Sequence, residues 1–199
     1  MTEIPEVVDR VEELDEDGKL RVGALLLVRY CSIHHDPKFS PWFERERQVL
    51  ARVVESARGV ARGDARQVDL EELYEALEGA LEASDPEGPP FQTEIVDHMV
   101  FATEVLDFLR APDDADALNT ALERADELAE AHVGMGEEDH LVADWHKVDF
   151  SALEEEARGL DAIASEDPLV AIARSESFAQ AYARLIEAYY TDEDAGITG

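Results

Sequence analysis

Three histidines and several carboxylates gather in one stretch of this chain, between residues 132 and 150. His132, His140 and His146, with Glu137, could supply the nitrogen and oxygen ligands that zinc or another divalent ion accepts, and Asp144 is a further oxygen donor. The reading this set supports is a metal-binding protein or a metal-dependent hydrolase. Against it, spacings of eight and six residues match no zinc signature. A ferritin-like di-metal centre needs a Glu-x-x-His pair from each of two helices. This chain offers one, Glu137 to His140, beside Gly134 and Gly136. The competing reading is a set of solvated loop histidines.

Other candidate chemistry is thinner. His34-His35-Asp36 reads as a turn leading into Pro37. Glu94, Asp97 and His98 fall at a helix start, where Asp97 could orient the imidazole as a general base. Adjacent helical residues do not face each other, however, and Glu94 there suits the helix dipole. Cys31 ends an apolar segment, where a buried inert thiol is expected. Neither a Gly-x-Ser-x-Gly elbow nor a phosphate loop occurs, and Gly134-Met-Gly136 lacks the third glycine of a dinucleotide fingerprint. These residues point away from catalysis.

Charge is the strongest signal. The 199 residues hold 48 acids against 17 Lys and Arg, a net charge of −31. Residues 67–199 carry 35 of those acids and six of the cations. This excludes nucleic-acid binding through a basic face and docking on anionic lipid. Two causes compete: adaptation to a high-salt cytoplasm, which the low count of three lysines fits, and an acidic face for a basic protein partner. Asp113, Asp114, Asp116, Glu123, Asp126, Glu127 and Glu130 are the acids expected to form that face, with Trp145 or Phe150 as an aromatic anchor. Arg45, Arg52 and Arg58 are expected to pair with acids on neighbouring helices or across a self-association interface.

These residues must be positioned by helices. Apolar residues recur at helical spacing in eight segments, and no segment alternates with period two. Val8, Val11 and Leu14 mark the first, and Lys19 to Cys31 reads as a central buried helix. Glu44 to Arg62 follows, then a helix opened by the capping pattern Asp69-x-x-Glu72. Thr93 to Arg110 comes next, and after Pro112 a helix through Ala129. Ser151-x-x-Glu154 opens the seventh, and Asp167-Pro168 opens the last. In that last helix Leu169, Ile172, Ala173, Phe178 and Tyr182 form the apolar stripe. The expectation is all-α, a single-domain bundle over residues 1–199, with a long His-, Gly- and acid-rich connection from His132 to Phe150.

Asp167-Pro-Leu-Val170, the stretch from Leu77 to Leu109 with its acidic Pro-containing loop, and Thr93-Glu-Ile-Val-Asp97 together resemble the YjaG-like bacterial family of unknown function. The chain departs from that family at Arg29 to Phe43, where Cys-Ser-Ile-His-His-Asp-Pro stands in place of a Pro-Asn-Tyr element. The resemblance implies an all-α fold and supplies no catalytic residues.

The apolar run Ala24 to Val28 is far short of the roughly 20 residues a membrane span needs. Met1-Thr-Glu-Ile-Pro-Glu has neither the basic nor the apolar region of a secretory leader, and a single cysteine allows no internal disulfide. The expectation is therefore a cytoplasmic, non-catalytic acidic protein that binds a basic partner, in the manner of an inhibitor, immunity protein or adaptor. Self-association is the other partner reading. Neither a membrane nor direct nucleic-acid contact is expected.

Overall fold

The computed structural model describes residues 4–35, 43–84, 92–139 and 159–190; the side chains of 35, 130–139, 184, 185 and 187–190 lie outside that description. Among the described residues there are eight α-helices and no strand. They are α1 (Ile4–Glu12), α2 (Glu16–Cys31), α3 (Glu44–Ala61), α4 (Leu70–Leu81), α5 (Gln92–Arg110), α6 (Ala115–Asp139), α7 (Leu160–Ala164) and α8 (Pro168–Tyr190). Short 3-10 turns occupy Ser32–His35 and Ala65–Gln67. The all-α bundle expected from periodicity is the fold.

Four of the helix starts are capped by an aspartate side chain. The Asp15 carboxylate accepts from the Gly18 amide at 2.9 Å, Asp69 from Glu72 at 3.0 Å, and Asp167 from Leu169 at 2.9 Å. Asp114 accepts from both Asp116 and Ala117 ahead of α6. These bonds satisfy amides that have no intrahelical acceptor, and each cap contributes ~1 kcal/mol. The caps at Asp69 and Asp167 are those the sequence patterns predict. The Ser151 cap lies outside the described residues.

α2 is the axis of the bundle. Every residue from Val22 to Cys31 is buried, and the helix packs against α3, α5, α7 and α8. Gly23 permits the α2–α5 contact, because a Cβ there would meet Leu109 Cδ2 at 2.8 Å and Phe108 Cδ1 at 3.0 Å. α5 also packs on α4 and α6, and α1 lies against α6 and α7. None of the described helices is long and apolar enough to cross a membrane.

Two expectations need correction. The connection predicted to begin at His132 is helical for its first part, since α6 runs on to Asp139. Gly134 and Gly136 each disfavour helix by ~1 kcal/mol, but good formers such as Ala, Glu and Met surround them, and a helix already propagating adds one hydrogen bond per residue. Residues 140–158 lie outside the description. In α8, Leu169 and Ala173 are exposed rather than part of the buried stripe, which among the described side chains consists of Ala171, Ile172, Ser175, Phe178, Ala179, Tyr182 and Ile186.

Candidate functional site

The acids expected to form a binding face come from α6 and the turn before it. Asp113 is exposed and takes Lys19 of α2 at 2.7 Å. Asp114 is the cap of α6, and Asp116 and Glu123 are exposed. Asp126 is half-buried, while Glu127 pairs with Arg124. Glu130 belongs to α6 by its backbone, but its side chain is outside the described set, as is Trp145 altogether. Glu104, Asp107, Asp114 and Asp116 line an open groove of about 620 Å³ between α5 and α6, with Arg110 as its cation.

The cations near this face are already engaged. Arg110 binds Glu71 at 2.6 Å and Asp107 at 3.1 Å, and it lies 4.4 Å from the Tyr74 ring centre. Arg124 bridges Glu104 of α5 to Glu127; its bond to Glu104 holds the guanidinium above its usual value. Two of the three arginines named for α3 find acids on neighbouring helices: Arg52 pairs with Glu72 of α4, and Arg58 with Glu176 of α8 as well as with Glu55 of its own helix. Arg45 donates to the Gly79 carbonyl of α4. Arg52, Arg58, Arg110 and Arg124 are thus matched by acids of the same chain at partly exposed positions, and the chain as a whole keeps a surplus of carboxylates.

A second polar cluster is only partly marked in the sequence, which sets Glu94 and His98 together but not Tyr182, His34 or Arg29 beside them. His98 of α5 is fully buried, with its ring 4.8 Å from that of His34 in an edge-on contact. Nδ1 of His98 stands 2.7 Å from the Glu94 carbonyl oxygen and 3.4 Å from Glu94 Oε1. A nitrogen facing a carbonyl oxygen must carry the proton, so in the neutral ring Nε2 accepts the Tyr182 hydroxyl at 2.9 Å. Arg29, also fully buried, donates through Nε to Ser175 Oγ at 3.3 Å and sits 4.9 Å from the Phe178 ring centre. Tyr30 packs edge-on against Phe101, Phe178 and Tyr182.

The order Glu94, His98, Tyr182 has the form of an acid–imidazole–hydroxyl relay. Its chemistry is not that of an exposed nucleophile. Burial, with the Glu94 charge next, pushes the Tyr182 phenol well above its ordinary value, and the residue is 1% exposed. The relay ties α5 to α8 in the form of a structural cross-link. Asp97, which sequence proximity suggests as the partner of His98, is exposed; Glu94, one turn earlier, takes that place. Cys31 is buried, and burial raises its thiol far above the usual range, so it is the inert core thiol expected. The advance signal of this cluster is the acid–histidine pattern Glu94-x-x-Asp97-His98; Arg29, a charge inside the otherwise apolar stretch Ala24 to Cys31, is a second mark of it in the sequence.

Of the proposed metal ligands, His132 and Glu137 have their backbone in α6, with side chains outside the description, and His140 and His146 are outside it entirely. Among the described residues no group of three or more His, Cys, Asp or Glu is arranged to hold a metal ion. Comparison of the chain with known protein families, with characterised proteins and with solved structures finds no match.

Proposed function

We propose that this protein works in the cytoplasm by contact with a basic protein partner, as an inhibitor or adaptor does, and not by catalysis. The observation that supports this most is the balance of charge: Arg52, Arg58, Arg110 and Arg124 are each paired with acids of the same chain, and 48 acids against 17 Lys and Arg leave a large carboxylate surplus. Such a surface steers a cationic partner and repels anionic ones. The α5–α6 groove is lined in part by Asp114 and Asp116, and Glu123 is exposed further along α6, as positions for Lys or Arg side chains. The resemblance to the YjaG-like family carries no activity to transfer and bears only on fold.

The test is affinity capture from the native extract, elution by a salt step, and titration of the eluted partner against the parent and an Asp116→Asn, Glu123→Gln variant. A basic partner of near-equal stoichiometry, with affinity falling as salt rises and association slowed in the variant, is the expected result. Binding indifferent to salt, or no specific partner, rejects the reading.

A further inference from the structure

We propose that His34 and His98 form a buried proton pair that holds one charge, and that a second proton, taken up in mild acid, drives the 3-10 turn Ser32–His35 off α5. The device is independent of any partner and is built into the core. His34 is 2% exposed and His98 0%, and their rings meet edge-on with centroids 4.8 Å apart. Imidazole is the side chain whose charge ordinarily changes in mild acid, so two of them in contact inside a bundle make a proton-sensitive joint.

Their surroundings rank the two rings. Nδ1 of His98 faces two acceptors, the Glu94 carbonyl oxygen at 2.7 Å and Glu94 Oε1 at 3.4 Å. Nε2, once protonated, donates to the Tyr182 oxygen at 2.9 Å, with the hydroxyl hydrogen swung aside. A charged His98 thus has a carboxylate beside it and an acceptor for each N–H, and takes the first proton.

His34 is placed differently. Glu94, the carboxylate against the pair, is then matched by His98, and Asp97 is exposed. Of the other elements packed on the turn, α2 brings the fully buried Arg29 and the thiol of Cys31, and α8 brings the Tyr182 phenol. From α3, Arg47 donates to the His34 carbonyl at 3.4 Å. A proton on His34 therefore sets one imidazolium against another with cations nearby, where like charges repel more strongly than in water.

Connectivity decides which side yields. His98 lies within α5, which packs on α2, α4 and α6. His34 lies in a four-residue 3-10 turn beyond the end of α2. Hydrogen bonds of such turns are poorer than those of an α-helix, and short segments of this kind open locally at less cost than the whole fold. Opening uncovers Cys31, the residue before the turn, whose Sγ now lies 3.9 Å from the His98 carbonyl oxygen.

Cys31 is the chain's one cysteine and serves as reporter. The full chain is labelled with a dipyridyl disulfide from about pH 7.5 to about 5.5, where imidazole changes charge. Each rate is divided by that of the urea-unfolded chain at the same pH, which removes the reagent's own pH dependence. The expected ratio rises about tenfold per pH unit below ~6.5, the slope for one proton bound by the open turn and not by the closed one, with helical circular dichroism unchanged. His34→Phe keeps a ring against His98 and takes no proton, so its profile should be flat; His34→Asn carries the same test if the phenylalanine variant does not fold. His98→Gln removes the first charge and should move the rise to lower pH. A flat parent ratio, a rise that survives without His34, or one that tracks loss of helix overturns the proposal. A rise unchanged in His98→Gln overturns it too, since His34 would then be acting alone.

Discussion

His98 Nε2 lies 2.9 Å from the Tyr182 hydroxyl, joining α5 to α8 across 84 residues of sequence. Both residues are closed to solvent, so this bond exchanges no water while the bundle is folded. Tyr182→Phe keeps the ring contacts with Tyr30 and removes the bond. The expected cost is about 1 kcal/mol, read from urea unfolding, with an unchanged m-value. A variant as stable as the parent would show that the bond is not a net contributor.

Alkaline pH provides a second reading of the same core. Tyr182 is held above its ordinary value near 10, and Cys31 above its ordinary value near 9, mainly by burial. In both cases the folded protein keeps a proton that the unfolded chain releases. The stability these groups provide is whole below pH 9 and is lost as pH rises, at about 1.4 kcal/mol per unit for each group once past its unfolded value. Unfolding free energy should therefore fall from pH 9 and more steeply from pH 10. Tyr182→Phe should flatten the second part of that decline; a slope identical to the parent's would contradict the assignment to Tyr182.

Two glycines separate packing from propensity. Gly23→Ala would drive a Cβ into Leu109 and Phe108, and overpacking of this kind costs about 1–3 kcal/mol. Gly59→Ala meets only Val68 Cγ2 at 3.8 Å, so the gain in helix propensity should leave it neutral or more stable by up to ~1 kcal/mol. Thermal melting of the two variants should move in opposite directions. A benign Gly23→Ala would mean that α2 and α5 can separate without loss.

Salt should stabilise the parent. With a net charge of −31 the folded state repels itself, and added KCl screens that repulsion. Each ~1 kcal/mol of relief adds roughly 2–4 °C to Tm at this chain length. A melting temperature that is flat or falling between 0.1 and 2 M would show that internal ion pairs such as Arg58–Glu176 outweigh surface repulsion.

Helix periodicity is a local property, and it was legible. Val53, Val54 and Ala57, or Leu73 and Leu77, recur at the spacing that puts them on one face, and Asp69 and Asp167 cap their helices through residues two or three positions away. The exchange of charge between α3 and its neighbours was also foreseeable, because seven basic residues from Lys38 to Arg66 sit in a chain with acids to spare.

What was not legible depends on helix phase and on contacts distant in sequence. Leu169 stands three residues before the buried Ile172, a spacing that fits an apolar stripe, yet packing on α2 rotates the stripe so that Leu169 faces outward. Glu94, His98 and Tyr182 carry no shared motif; only the approach of α5 to α8 turns them into a relay. Length, charge and periodicity thus determined an acidic all-α bundle from residues acting on near neighbours. Tertiary packing decided which polar side chains lie within it and which apolar ones remain outside, since burial belongs to the assembled helices and not to any one of them.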